Sequence, residues 1–287
     1  MQITKEIIAK EAETFIVSIF QLPEVVSVRA KDIIADKRDN IREKVLQMVD
    51  KSYHDCYSDV DLHITIRMNS KELLTPSEYM KQADRFGIHE ENCLGFDFVS
   101  ENRMYRIVMK NGVRYDLKFD FVYDDTAEKI HMTPVREKES NPDWPAESVN
   151  QFWFVQVQAL GKLYRNDYLI GDHLANRNLN ETLVQQMVLR DLKYGTNHHR
   201  YGYKEELVYL KYKEECPVKA EDIVFQSISE KLYCAAMAYD ELTAAFYPDY
   251  EKRSQYFFEI WQCYEQNYNS STPRRTCCEV RVMLRMT

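Results

Sequence analysis

The chain has 287 residues, enough for one large domain or two of ordinary size, each with a buried core. Hydrophobic residues make up 45% and charged residues 29%, and no apolar run approaches the roughly 20 residues of a membrane span. The formal net charge of −8 disfavours a nucleic-acid partner, because neutralising phosphates requires a basic surface. We therefore expect a globular protein that binds neither nucleic acid nor membrane.

The amino-terminal segment and the cysteines both indicate the cytoplasm. The segment MQITKEIIAKEAETF carries charges throughout and lacks the apolar core of a signal peptide. The seven cysteines form no CxxC pair and have no histidine partners at zinc-finger spacing. We interpret them as reduced thiols and predict a cytoplasmic protein.

Two periodicities follow each other in the first part of the chain. Apolar residues recur at helical spacing over residues 4–20 and 39–52, which predicts two amphipathic helices. From Asp59 to Ile66 the sequence DVDLHITI instead alternates polar and apolar residues, as a strand with one buried face does. Asp59 and Asp61 are therefore expected on the polar face of one strand.

A second strand is predicted over residues 113–122, VRYDLKFDFV, where the alternation places Asp116 and Asp120 on the polar face. Asn111-Gly112 just before it is a strong hairpin-turn signal, which predicts that residues 104–110 form its antiparallel partner. The first 125 or so residues are thus expected to place helices on a mixed sheet.

The second half of the chain is predicted to be helical. The polar, proline-containing segment 137–145 is typical of a domain boundary. Beyond it, helical periodicity covers roughly residues 147–165, 179–194, 203–213, 220–246 and 250–267. The predicted fold class is α+β, with a domain of mixed sheet and helices at residues 1–140 and an all-helical domain at residues 141–287.

The two aspartates of the first strand are the most informative residues of the sequence. Side chains at alternate strand positions leave the same face with their Cβ atoms about 7 Å apart, so both carboxylates can reach one pair of Mg²⁺ ions. Asp116 on the second strand would supply a third ligand, and Asp120 is its rival. Two metals held in this way can activate a hydroxyl and stabilise a leaving pyrophosphate. The alternative is that these are ordinary solvent-facing acidic residues.

Three segments resemble a known family: YSDVDLHITI at 57–66, NGVRYDLKFDF at 111–121, and NQFWFVQVQALGKLYRNDYLIGDHL at 150–174. They are similar to the aminoglycoside nucleotidyltransferases of the DNA-polymerase-β-like superfamily, above all to the streptomycin (aminoglycoside 6-) adenylyltransferase family. Lincosamide nucleotidyltransferases are a near neighbour. The resemblance covers about residues 40–215.

The resemblance implies a nucleotidyltransferase core followed by a helical domain, with the active site in the cleft between them. It implies transfer of a nucleoside monophosphate from a Mg²⁺-bound NTP, with ATP expected, to a hydroxyl of a cationic aminoglycoside. Asp59 and Asp61 would hold two Mg²⁺ ions, and Asp116 would be the third ligand and the nearest candidate base. Lys162 would contact the triphosphate.

Several residues in the third segment have two possible roles each. Asp167 and Asp172 follow the helix of Lys162 and could position or deprotonate a substrate hydroxyl, or be solvated loop residues. Phe152, Trp153 and Phe154 could stack on a base or sugar, although three adjacent aromatic residues on a helix are more often core.

The sequence departs from the superfamily pattern in its phosphate loop. The superfamily places a Gly-Ser pair at a helix start about ten residues before the first aspartate, whereas the earliest glycine here is Gly87. Ser52 or Ser58 could substitute as a hydroxyl donor to the phosphates. The departure keeps two alternatives open: transfer to another acceptor, such as a lincosamide, a metabolite or a protein hydroxyl, or a homologue that binds a ligand without catalysis.

Overall fold

The computed structural model describes residues 3–71, 74–89, 91–130, 146–195 and 205–271. The chain divides into two compact units, Met1–Lys138 and Glu139–Thr287, which we call the sheet unit and the helical unit. The described part of the sheet unit contains helices and a six-stranded mixed sheet, and that of the helical unit contains helices only. This content is compatible with the predicted α+β class.

In the sheet unit, the strands are connected in the spatial order β2-β1-β3-β6-β5-β4. The elements in chain order are α1 (Lys5–Ile19), β1 (Val25–Ala30), β2 (Ile33–Asp36), α2 (Ile41–Ser52), β3 (Val60–Met68), α3 (Pro76–Met80), β4 (Cys93–Val99), β5 (Met104–Met109) and β6 (Arg114–Tyr123). Strands β3 and β6 pair in parallel, and the other described neighbours pair antiparallel. The three predicted strands and two predicted helices are present within a few residues of their expected bounds.

Three strands of the sheet were not predicted from the sequence, and each lacks a regular signal. Strands β1 and β2 form a short hairpin whose turn contains Lys31 at φ 53°, a left-handed conformation that turn-forming Gly or Asn normally provides. Strand β4 shifts its register between Cys93 and Gly95, so its alternation is broken. Because these local irregularities interrupt the alternation, three of the six strands were not predicted from the sequence.

The two faces of the central strands have different neighbours. Val60, Leu62 and Ile64 of β3 are buried, and they lie beside Tyr115, Leu117 and Phe119 of β6 in the register of the parallel pair. Helix α1 contacts this apolar face through Phe15, whose ring stacks on Tyr115 with a centroid distance of 4.9 Å. Because strand side chains alternate, the aspartates of β3 and β6 lie on the opposite face.

The helical unit contains four α-helices in its described part. They are α4 (Ala146–Tyr164), α5 (Tyr168–Tyr194), α6 (Ile223–Phe246) and α7 (Ser254–Ser271), with a short 3-10 helix at Val208–Tyr212. Helix α5 begins at Tyr168, well before the predicted start at residue 179. It follows directly on Asn166, whose φ of 58° turns the chain. The predicted helix at 203–213 is wrong over the described residues 205–213, where the 3-10 helix is the regular structure.

The aromatic residues at the start of α4 belong to the core. Trp153 is fully buried, and the ring of Phe152 stacks on Tyr239 of α6 at a centroid distance of 3.6 Å. Phe154 is also buried. The core interpretation of this aromatic run is confirmed. None of the helices in the described ranges combines the length and apolar character that crossing a bilayer requires.

Asp240 organises the connection between α6 and α7. Its buried carboxylate accepts hydrogen bonds from the hydroxyl of Tyr250 at 2.7 Å and from the backbone N–H groups of Arg253 and Ser254 at 3.1 and 2.8 Å. The Tyr250 hydroxyl in turn accepts from the indole N–H of Trp153 at 3.0 Å. One side chain therefore satisfies three donors at the start of α7.

We expect Asp240→Ala to lower the free energy of unfolding of the helical unit by about 2–5 kcal/mol, because it leaves buried donors without an acceptor. All three tryptophans lie in the helical unit, so urea unfolding followed by tryptophan fluorescence measures this unit. Asp249→Ala, which removes an exposed aspartate of the same connection, is the matched control. Equal effects of the two substitutions would contradict the role assigned to Asp240.

Candidate functional site

The parallel pairing of β3 with β6 brings two of the predicted site residues side by side. Asp61 of β3 is the direct register partner of Asp116 of β6. Neighbouring strands run about 4.8 Å apart, so both carboxyl groups leave the same face of adjacent strands. Asp59 comes one residue before β3 begins and belongs to the loop that leads into it. We call Asp59, Asp61 and Asp116 the carboxylate site.

Asp116 is the most enclosed member of the carboxylate site. Arg106 is its register partner on β5, and the guanidinium Nε lies 3.4 and 3.3 Å from its two carboxylate oxygens. The pKa of Asp116 is raised to about 6, first by burial and then by the charges of Asp59 and Asp61, against the lowering influence of Arg106 and Arg114. The carboxyl group therefore binds its proton more tightly than an ordinary aspartate does.

Asp61 is exposed to solvent, but the charges of neighbouring residues still influence its pKa. Its pKa is raised, first by partial loss of hydration and then by the negative charge of Asp59, against the opposing influence of His63, Lys31 and Arg106. Asp59 and Asp61 also act on Asp116, so the three carboxylates form one electrostatic group. Like charges gathered in this way favour binding of a proton or a cation.

Two arginines on the polar face of the sheet neutralise part of this charge, and the sequence interpretation did not include them. Arg106 contacts Asp116, and Arg114 lies with its Nη2 3.6 Å from Oδ2 of Asp59. Arg114 precedes Asp116 by two strand positions, so the alternation that identified Asp116 could also have identified this arginine. Arg106 required knowledge of the β5–β6 register.

The hydroxyl of Ser58, predicted to bind the nucleotide, takes part in a local turn. It accepts hydrogen bonds from the backbone N–H groups of His54 and Asp55 at 3.3 and 3.2 Å, and it donates to the Asp55 carboxylate at 2.9 Å. Ser58 is also 9% exposed. In this arrangement the serine shapes the loop that carries Asp59, and its nucleotide role stays a prediction.

No helix begins at the position where the superfamily has its phosphate loop. The residues about ten positions before Asp59 lie inside α2, which begins at Ile41. The side chain of Asn40 caps this helix by accepting from the backbone N–H of Glu43. The amide groups of a helix start are therefore not available close before Asp59 to hold phosphates.

The remaining predicted residues lie in the helical unit. Lys162 of α4 forms an ion pair with Asp167, its Nζ lying 3.1 Å from Oδ2. Asp172 of α5 pairs with Lys231 of α6 at 2.5 Å and also accepts from the amide of Asn176. Each acidic residue thus has a basic partner within the same unit.

Asp120, the rival third ligand, lies farther along β6. Its register partner on β3 is Thr65, whereas the partner of Asp116 is Asp61. Its carboxylate lies 3.7 Å from Nδ1 of His63, and its side chain is half exposed. The sheet register therefore favours Asp116 over Asp120 as the companion of Asp61.

The donor set of the carboxylate site suits Mg²⁺, because three carboxylates provide the oxygen ligands that this hard cation prefers. In the part of the chain that the structure describes, however, no three His, Cys, Asp or Glu side chains converge as metal ligands. Guanidinium groups lie beside two of the three carboxylates, Arg106 beside Asp116 and Arg114 beside Asp59. The three carboxylates share one electrostatic field, because Asp59 and Asp61 both raise the pKa of Asp116.

No protein-family model matches the chain, and no curated protein matches it either.

We expect Asp116→Asn to stabilise the metal-free protein at pH 8 but not at pH 4. A carboxyl group whose pKa is raised from 3.8 to about 6 in the folded state destabilises the fold progressively as pH rises through that interval. Asparagine does not titrate, so the difference from wild type should change by about 3 kcal/mol between these pH values. Urea unfolding in EDTA, followed by circular dichroism, measures it, and tryptophan fluorescence separates the transition of the helical unit.

Asp120→Asn is the matched control for the loss of one negative charge from β6. We expect a smaller change from it, because half of the Asp120 side chain is in water. A constant difference between Asp116→Asn and wild type across the pH range would contradict the raised pKa of Asp116.

Proposed function

We propose that the chain is a Mg²⁺-dependent nucleotidyltransferase that transfers a nucleoside monophosphate, AMP from ATP, to a hydroxyl of an aminoglycoside-like molecule and releases pyrophosphate. The observation that carries the proposal is the register that makes Asp61 and Asp116 direct neighbours on parallel strands, with Asp59 one position before β3. Phosphoryl transfer from a triphosphate requires cations that neutralise its negative charge, and a group of carboxylates can bind those cations.

Asp59, Asp61 and Asp116 would hold two Mg²⁺ ions, which supply charge neutralisation for the transferred phosphoryl group and the leaving pyrophosphate. Asp116 is also the proposed base, a role that follows from the family resemblance and from its position directly beside Asp61. Arg106, which contacts Asp116, would limit this rise and keep the carboxylate ionised for cation binding. Cation binding is thus assigned to the three aspartates, and Arg106 is assigned the control of their charge.

The acceptor is proposed to be cationic. The net charge of −8 favours attraction of an amine-rich molecule over an anionic one. Asp167 is a proposed contact for an acceptor hydroxyl, and Ser58 and Lys162 are proposed contacts for the nucleotide, all following from the family resemblance. A lincosamide, a metabolite or a protein hydroxyl remains an alternative acceptor for the same chemistry.

A second candidate function is ligand binding without catalysis. Two observations favour it specifically: α2 occupies the position of the missing phosphate loop, and arginines contact two of the three carboxylates. A homologue that had lost transfer activity could keep a nucleotide or an aminoglycoside bound at the same residues. The retention of all three carboxylates favours the enzyme.

We expect the full chain, incubated with Mg²⁺, one of the four NTPs and an acceptor panel, to release pyrophosphate with ATP and a streptomycin-type aminoglycoside. Asp61→Asn should reduce release to background, because it removes a charge directly beside Asp116. Asp120→Asn, on the same face of the sheet, should retain activity. Binding of ATP or aminoglycoside by calorimetry without pyrophosphate release would instead support the non-catalytic candidate, and absence of both would refute the proposal.

The assignment of Lys162 to the triphosphate has its own test. We expect Lys162→Met to weaken ATP binding about tenfold, since a charge-assisted hydrogen bond is lost, with little effect on thermal stability. Lys231→Met, which removes another lysine paired with an aspartate in the helical unit, should leave ATP affinity unchanged. Equal affinities of wild type and Lys162→Met would remove Lys162 from the proposed site.

A further inference from the structure

Asp59 differs from its two partners in how it is held. Asp61 and Asp116 lie within strands β3 and β6, whose backbone hydrogen bonds fix their positions. Asp59 lies before β3, so its position depends on the loop at residues 53–59. Any residue that fixes this loop against β6 therefore also sets the distance of Asp59 from Asp116.

The loop at 53–59 contains a turn closed by hydrogen bonds among its own residues. Asp55 accepts a hydrogen bond from the backbone N–H of Tyr57 at 3.0 Å and from the Ser58 hydroxyl at 2.9 Å. The backbone N–H of Ser58 also donates to the carbonyl of Asp55 at 3.1 Å. Tyr57 and Ser58 are buried. These hydrogen bonds order the turn internally, and a connection between it and β6 would also set Asp59 relative to Asp116.

Arg114 makes that connection from the first position of β6. Its Nη1 donates to the backbone carbonyl of Tyr57 at 3.2 Å, and its Nη2 lies 3.6 Å from Oδ2 of Asp59. The Arg114 side chain is 7% exposed, whereas that of Asp59 is 32% exposed. A buried guanidinium group thus holds both the backbone of the turn and the side chain of Asp59.

The contact leaves part of Asp59 available. Oδ2 lies 3.6 Å from Nη2 of Arg114, and the Asp59 side chain is still 32% exposed. The separation of 3.6 Å exceeds a normal hydrogen bond, so the arginine orients the carboxylate without a tight bidentate contact. The exposed part of the Asp59 carboxylate is therefore open to a cation while Arg114 lies beside it.

The bonding of Arg114 is incomplete for a residue with a purely structural role. Its Nε is buried and has no hydrogen-bond partner among the described residues, so the guanidinium group is not fully satisfied. Buried polar groups are normally paired, and exceptions cost stability. A guanidinium group kept at such a cost, and directed at Asp59, indicates a role in the carboxylate site.

We propose that Arg114 is a positioning residue that holds Asp59 toward Asp61 and Asp116 and thereby sets the affinity of the carboxylate site for divalent cations. The inference rests on the proposed function, since it takes the three carboxylates as cation ligands. Arg114 acts through the Tyr57 carbonyl and the Asp59 carboxylate and contacts neither nucleotide nor acceptor. The guanidinium group contacts the Tyr57 carbonyl and the Asp59 carboxylate through two different nitrogen atoms. A lysine has a single nitrogen and a neutral side chain has no charge, so neither can make both contacts.

Binding of Mn²⁺ to the full chain, measured from the electron paramagnetic resonance signal of the free ion, tests this role. We expect Arg114→Met to weaken Mn²⁺ binding about 10–100-fold, the usual effect of removing a residue that orients a metal ligand. Arg114→Lys should recover part of this loss, because it restores a charge beside Asp59. Arg67→Met, which removes an exposed arginine of β3 near Asp124, should bind Mn²⁺ as wild type does.

Hydrogen exchange supplies a readout that does not depend on a metal. In metal-free protein, Arg114→Met should speed amide exchange in residues 54–59 while Arg67→Met leaves it unchanged, because Arg114 donates to the Tyr57 carbonyl of this turn whereas Arg67 lies beside Asp124. In an Asp59→Asn background, Arg114→Met should weaken Mn²⁺ binding by less than about twofold, since the residue it positions is already altered. Circular dichroism verifies folding, and Arg114→Lys carries the test if Arg114→Met does not fold.

The outcomes separate this inference from the proposed function. Unchanged or tighter Mn²⁺ binding by Arg114→Met, with normal binding by wild type, would show that the arginine competes with the cation and would overturn the inference alone. An equal loss caused by Arg114→Met with or without Asp59 would also overturn it. A wild-type chain that does not bind millimolar Mn²⁺ would overturn the proposed function and this inference together.

Discussion

The parallel pairing of β3 with β6 determines the rest of the sheet unit. The two strands are distant in sequence, since α3, β4 and β5 lie between them, yet they pair residue by residue over their whole length. This register places their apolar side chains on one face, where α1 packs through Phe15. It leaves Asp61 and Asp116 as neighbours on the other face. A shift of one residue would exchange the two faces, so burial of the core and formation of the site are a single constraint.

Gathering three carboxylates on one face has an electrostatic cost that the fold offsets with arginines. Burial and mutual repulsion raise the pKa of Asp116, while Arg106 lies against its carboxylate and Arg114 lies near Asp59. These cations limit repulsion in the absence of a metal. They also restrict how the carboxylates can turn, which gives them direct influence on any cation that binds. The same side chains therefore compensate the charge of the carboxylates and contact them.

The loop before β3 takes a form that the superfamily pattern does not predict. Where a glycine-backed phosphate loop is expected, the chain forms α2 and then a turn closed by the Asp55 carboxylate and the Ser58 hydroxyl. This turn places Asp59 by side-chain hydrogen bonds and by Arg114, without a glycine. The local chemistry that holds Asp59 is thus built from polar side chains, which can keep a carboxylate in place but do not offer a row of backbone amides to phosphates.

The sequence by itself determined β3, β6 and the aspartates of the polar face, because strict alternation over many residues has one physical interpretation. It determined β5 through the hairpin-turn signal of Asn111-Gly112. It also determined most helices of the helical unit from their periodicity. It did not determine β1, β2 or β4, whose bulges and left-handed turn interrupt the pattern, nor the helical start of α5 after Asn166. Only the tertiary structure decided that Asp61 lies beside Asp116, that Arg106 faces Asp116 and that Arg114 connects Asp59 to β6. Those relations depend on which strands pair and in which register, and strand pairing is set by long-range packing that local sequence does not encode.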